Sequence, residues 1–231
     1  TYELEKLPKS PVPDFLERVP ATPSGGIRFV APGGKVLDLK LKRTRDGFPS
    51  SGLVARRMDF DAFLWQQATA WPTVEFVQCK VQQIEALPQG WNIQTNQGSI
   101  KAEVVVAADG AQSRFVRELQ KGETIHRKHH SAGLRMYMEN VKGFSSDGLI
   151  ELHFRKDLLP GYFWMFPMPG NRANIGLGVR SDVVARNQMK LRPKLLEIVR
   201  ENSLLGDRFS EASALEQPQG FGLPLGSTRR K

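Results

Sequence analysis

Cysteine is almost missing from this 231-residue chain. Cys79 stands alone, which excludes an internal disulfide and fits a reducing compartment. No apolar run approaches the ~20 residues that a bilayer-spanning helix needs; the longest, Val104 to Ala108, is strand-sized. The opening TYELEKLPKS lacks the basic, apolar and small-residue zones of a secretory leader, so the expected location is cytoplasmic. Internal repeats and low-complexity tracts are also missing. Histidine is scarce, and three of the four histidines sit at His126, His129 and His130 with Arg127 and Lys128 between them. A cation would be repelled there and no carboxylate or cysteine is near, so a surface stretch is expected and no metal centre. No nucleophile, base and orienting group stand in a pattern suited to acyl transfer, and Asp59 and Asp61 make a poor acid–base pair on the helix they begin.

What the chain does hold is positive charge. The net charge of +9 gathers at Lys40 to Arg45, at His126 to His130, around Lys190 to Lys194 and in the final Arg229-Arg230-Lys231. Such an excess is either solvated surface or a preference for anionic partners: a dinucleotide, a phosphorylated lipid or an anionic membrane surface. Nucleic acid fits poorly, because the basic runs carry no interleaved aromatics and no recognition motif. An apolar fraction of 40% and a charged fraction of 25% are those of a globular protein able to bury one core or two small ones.

The order of elements predicts a mixed α/β (α+β) fold. Five prolines before Ser24 predict an irregular opening. Ile27 to Leu41 reads as a hairpin turning at APGGK, and Leu53 to Arg57 as a short strand. A helix is expected from Asp59, its N-cap, to Trp71. Strands follow near Val74 to Val77, Val81 to Leu87, Trp91 to Thr95 and Glu103 to Ala108. Antiparallel strands are expected at Ser131 to Asn140, Leu149 to Arg155, Tyr162 to Met168 and Ala173 to Val179. A long helix spans Asp182 to Asn202, interrupted near Pro193, a residue suited to starting a second helix.

Three strings carry chemistry. The first is VVVAADGAQSRFVREL, Val104 to Leu119: an apolar strand, expected to be buried on both faces, ending at Asp109-Gly110 before a helical turn. Ligands of open α/β sheets bind at such strand ends, Gly110 permits close backbone approach, and a helix start offers N–H groups to phosphate. Asp-Gly after a strand is also a common turn. The second is Arg57-Met58-Asp59-Phe60-Asp61-Ala62-Phe63-Leu64, where Arg57 either meets a phosphate or caps a sheet edge. The third is Gly161 to Val179, with the spacing Tyr162-x-Trp164-x-Phe166-Pro167, eight residues, Gly176-x-Gly178. Alternation puts the three rings on one strand face, as a core wall or as the wall of a site.

The first two strings, in this order, resemble segments of the flavoprotein hydroxylases. The third resembles the signature of the geranylgeranyl reductase family, and flavin-dependent halogenases carry a related Trp-x-Trp-x-Ile-Pro strand that Tyr162 and Phe166 depart from. The resemblance covers about Ile27 to Gly226. It implies an incomplete Rossmann-like FAD- or NAD(P)-binding domain over residues 1–125, followed by an antiparallel-sheet substrate domain with helices over 126–231. The family's G-x-G-x-x-G turn is absent, so an interior piece of a longer protein is expected, inactive by itself. Arg57, Asp109, Gly110 and, through its backbone, Val81 are implied to hold FAD. Tyr162, Trp164, Phe166, Pro167, Gly176 and Gly178 are implied to shape an isoprenoid channel, with Tyr162 the candidate proton donor. The resemblance further implies NADPH, NADH or ferredoxin as electron donor. It implies as substrate a prenylated lipid, quinone or chlorophyll-type precursor, with peripheral membrane contact. The alternatives are a flavin monooxygenase or halogenase, and a non-catalytic truncated module.

Overall fold

The computed structural model describes residues 12–41, 52–111, 113, 115–116, 126–201 and 205–226. In chain order the elements are α1 (Val12–Arg18), β1 (Ala21–Pro23), β2 (Gly26–Val30), β3 (Val36–Lys40), β4 (Leu53–Ala55) and α2 (Arg57–Thr69). There follow β5 (Val81–Leu87), β6 (Gly90–Thr95), β7 (Gly98–Ala102) and β8 (His130–Glu139). The remainder is β9 (Ile150–His153), β10 (Tyr162–Met168), β11 (Arg172–Arg180), α3 (Ser181–Arg186), α4 (Leu191–Arg200), β12 (Ser213–Ala214) and β13 (Gln219–Pro224). Two compact units result: residues 1–67 with 127–231, and residues 68–126. Residues 1–67 thus group with the second half of the chain.

The reason is strand pairing. The large sheet of the first unit runs β12-β8-β11-β10-β9-β2-β3, and β13 also pairs with β8. Its pairs are antiparallel except β2 with β9, which run parallel from Ile27↔Ile150 to Val30↔His153. The N-terminal hairpin is therefore stitched to the later strands. One face of the sheet forms the core: Leu134, Met136 and Met138 of β8, Phe163 and Met165 of β10, and Ile175, Leu177 and Val179 of β11. Val183 of α3 and Leu195 and Ile198 of α4 close over it. Burying each of these side chains contributes about 1.5–3 kcal/mol. A smaller cluster joins Phe15 and Val19 of the α1 region to Phe63 of α2. The second unit is the antiparallel meander β5-β6-β7.

Several expectations need correction. The opening segment holds α1, because Pro13 falls in a first turn where its missing N–H costs nothing. Asp59 is no N-cap: α2 begins two residues earlier, and Asp59 lies in its first turn, 3.7 Å from Arg56. Val74 to Val77 and Glu103 to Ala108 form no strand, since neither finds a pairing partner among the described residues. Without a ladder neighbour an apolar run does not become a strand. Val104 and Val106 are accordingly 75% and 83% exposed, where burial on both faces was expected. Cys79 is half-buried in irregular chain. The helix expected to be interrupted near Pro193 is indeed two, α3 and α4, with the break at Asn187 to Lys190 and Pro193 in the first turn of α4. No helix among the described residues is long and apolar enough to cross a membrane.

Candidate functional site

The sheet face opposite the core is lined with rings. Alternation along β10 sends Phe163 and Met165 into the core and turns Tyr162, Trp164 and Phe166 to the other side. Centroids of Tyr162 and Trp164 lie 6.3 Å apart, and those of Trp164 and Phe166 6.2 Å. The row continues beyond β10. Phe154 is 5.8 Å from Tyr162, and Phe29 of β2 stacks on Phe154 at 6.2 Å with planes inclined by 19°. Five rings from three segments thus form one ladder, each pair within the range of favourable aromatic contact.

The two glycines of the spacing motif explain how the indole fits. Register pairs Trp164 with Gly176 and Tyr162 with Gly178 on β11. A Cβ added at Gly176 would collide with Trp164 Cζ2 and with the Leu134 carbonyl oxygen, and would stand 2.7 Å from Trp164 Cε2. At Gly178 it would be 3.7 Å from Trp164 Cζ3. The indole therefore lies across the neighbouring strand, on bare backbone that only glycine leaves open. Trp164 Nε1 donates to Asn174 Oδ1 at 3.1 Å, which fixes the ring's rotation. Pro167 does not join this wall. It lies on the opposite face of β10 and lines a separate cavity of about 630 Å³ with Phe144, Asp147 and Met168.

Next along the ladder face, Arg135 of β8 lies 4.6 Å over Tyr137 and 5.5 Å from the Phe221 ring of β13, and its guanidinium binds Glu216 and Gln219. The Tyr137 hydroxyl accepts the backbone N–H of Arg57 at 3.3 Å. Arg57 itself is the first residue of α2, with its exposed guanidinium 2.6 Å from Asp61 Oδ1, so it is already engaged in an i,i+4 pair. On the core side a buried polar knot sits at the end of β9. The Glu151 carboxylate accepts two hydrogen bonds from Arg208, at 2.6 and 2.9 Å, and lies 3.0 Å from His153 Nε2. Burial pushes the Glu151 pKa up, but the hydrogen bonds from His153 and Arg208 and the guanidinium charge outweigh it and hold it below the ordinary carboxylate range.

In the second unit, Val81 and Asp109 line one cavity of about 230 Å³ with Ile84, Ile93, Val106 and Phe115. Gly110 follows at φ +85°, with open space where a Cβ would stand. Its carbonyl accepts the Ser113 N–H at 3.1 Å, and Ser113 Oγ in turn accepts the Val116 N–H at 3.0 Å. Asp109-Gly110 therefore leads into a serine-capped turn. Arg117, read with them in the sequence, lies outside the described residues. An apolar pocket with one carboxylate at its rim and an open glycine turn suits one ring-bearing end of a dinucleotide; its volume is too small for a whole one. No group of His, Cys, Asp and Glu able to hold a metal occurs among the described residues.

Sequence reading missed Phe29, Phe154, Tyr137 and Arg135 on the ladder face. Nothing local to these segments shows that they share a sheet with β10. It also missed the Glu151–His153–Arg208 knot, because 57 residues separate Glu151 from Arg208.

This fold is that of FAD-dependent oxidoreductases and halogenases. A geranylgeranyl bacteriochlorophyll reductase-like protein of Thermoplasma acidophilum superposes with a TM-score of 0.72 at 21% identity, over 88% of this chain and 50% of that one. The halogenase PltM, solved with phloroglucinol and FAD, superposes with a TM-score of 0.71 at 16% identity, over 90% of this chain and 46% of its own.

Within that fold the sequence is related to one group. Residues 130–204 match the family model of the geranylgeranyl reductase catalytic domain. The digeranylgeranylglycerophospholipid reductase of Methanocaldococcus jannaschii is 30% identical over 227 residues, 96% of this chain and 53% of the relative. That of Methanococcus vannielii is 27% identical over 210 residues, 89% of this chain and 50% of the relative. The chain spans about half the length of these curated relatives. The resemblance read from the Tyr162-to-Gly178 spacing holds: the chain is a relative of the geranylgeranyl reductases.

Proposed function

We propose that the protein carrying this chain is an FAD-dependent reductase that saturates carbon–carbon double bonds in prenyl chains of geranylgeranyl type, carried on a lipid. The observation that carries this reading is the five-ring ladder laid over Gly176: a long apolar wall with its one indole locked in place suits a long apolar ligand. Val81, Asp109 and Gly110 are the residues that would hold one end of the dinucleotide, and the family resemblance adds Arg57 as a phosphate partner. On this view residues 68–126, with Arg57, serve the cofactor, and the large sheet, Phe29 included, serves the substrate. When bound and reduced, FAD would supply the hydride that saturation of such a double bond needs. The chain's own rings orient the prenyl chain and exclude water, and the Tyr162 hydroxyl is the candidate to deliver the proton to the second carbon. A nicotinamide nucleotide or ferredoxin would restore the reduced flavin, and the protein would work at a membrane surface.

The test is anaerobic incubation of the protein with a digeranylgeranyl glycerophospholipid and a chemical reductant, followed by mass spectrometry of the lipid. The expected product gains one H2 per double bond saturated. Reductant oxidised only with oxygen consumption, and only when a small aromatic substrate is present, would instead assign a monooxygenase or halogenase.

A further inference from the structure

The outer edge of the large sheet carries apolar side chains that the described residues leave exposed. β3 is its last strand and, among the described residues, is hydrogen-bonded to β2 alone. Alternation places Leu37 and Leu39 on one face and Val36 on the other, and they are 58%, 48% and 56% exposed. Edge strands are commonly blunted by charge, but the charges of β3 are already used: Asp38 pairs with Arg28 at 2.8 Å and Lys40 with Asp147 at 2.6 Å. Two lysines at one end of this edge have no such pair among the described residues. Lys35 stands at the hairpin turn. β9, parallel to β2, leaves the sheet at that same end and leads into Lys156 and the exposed Leu159. Lys35 and Lys156 are both exposed and ion-paired to nothing among the described residues.

Apolar side chains on both faces of an edge, with uncompensated ammonium groups at its end, complement an anionic bilayer: hydrocarbon receives the leucines and phosphate the lysines. A second copy would bring like charges together at one interface. We propose that the β2–β3 hairpin docks the protein on an anionic membrane, with β3 in the headgroup layer and Lys35 and Lys156 against lipid phosphate. The proposal rests on the prenyl-lipid reading and deepens it. Tyr162 follows Leu159 by three residues at this end of the sheet, so a prenyl tail leaving the bilayer meets the ring ladder without crossing water.

The experiment is flotation of the protein with vesicles of phosphatidylcholine alone or mixed with phosphatidylglycerol. Binding is expected to the anionic vesicles and to weaken in high salt. Leu37→Ser with Leu39→Ser should lower the partition coefficient about tenfold or more. Lys35→Glu and Lys156→Glu should each lower it about fivefold. In Leu39→Trp the indole emission should shift to the blue on anionic vesicles, reporting insertion of the edge itself. Equal binding to both vesicle types, or no loss in the leucine double variant, overturns the proposal. Self-association removed by that double variant, without vesicle binding, assigns the edge to a second copy and overturns it too. Reduction of a detergent-dispersed prenyl lipid is read separately: vesicle binding without reduction sinks the reductase reading and leaves the docking surface standing.

Discussion

A single hydrogen on Gly176 decides whether Trp164 can lie where it does. A methyl there has no room, because the obstacle on one side is the Leu134 carbonyl and on the other a ring held by Asn174. Gly176→Ala should therefore cost about 1–3 kcal/mol of stability as an overpacking change. Urea unfolding measures that cost, and altered near-ultraviolet circular dichroism would report the displaced indole. Tyr162 poses a different question at the same scale. Removing only its hydroxyl in Tyr162→Phe keeps the ladder, so a role in proton delivery predicts turnover lower by roughly 10²–10⁴-fold with substrate binding retained. Unchanged turnover would return Tyr162 to the wall. These residues were legible in the sequence because strand alternation and the Gly-x-Gly spacing are local signals. Phe154 and Phe29 were not, since their place in the ladder depends on a parallel pairing between β2 and β9 across more than a hundred residues.

At the scale of elements, β9 owes its position to a charged knot as much as to its ladder. The Glu151 carboxylate ties β9 to Arg208, which also donates to the Lys142 carbonyl oxygen and stacks on Phe144. The folded-state pKa of Glu151 is depressed, so its contribution is present above its unfolded value of about 4.3 and is lost as pH falls through the lower folded value. Unfolding free energy measured from about pH 6 down to pH 3 should decline on this account. Glu151→Gln should remove part of that decline and, at neutral pH, cost about 1–3 kcal/mol by leaving the partly buried Arg208 guanidinium without its anion. A mutant whose acid limb matches the parent's would show the knot contributes no pH dependence. Element reading succeeded where a segment carries its own pattern: β10 runs from Tyr162 to Met168, as its alternation requires. It failed at Val104 to Ala108, where composition promises a strand but strand formation depends on a neighbour.

Across the whole molecule, exposed apolar surface and positive charge act against each other. Val104 and Val106 stand nearly bare in the second unit, and Trp71, Phe76 and Val77 of the same unit are exposed as well. Apolar surface of this extent promotes self-association, while a net charge of +9 opposes it through repulsion that salt screens. The isolated 231-residue chain should therefore associate more as ionic strength rises. Association driven by charge pairing would do the reverse. Val106→Lys puts a charge in the middle of the barest run without touching the core of either unit, so it should suppress the salt-induced association while leaving the thermal midpoint almost unchanged. Static light scattering across a salt series measures the first and differential scanning calorimetry the second. Scattering that is flat with salt in the parent chain would mean that this surface is not as open as the exposure of Val104 and Val106 indicates.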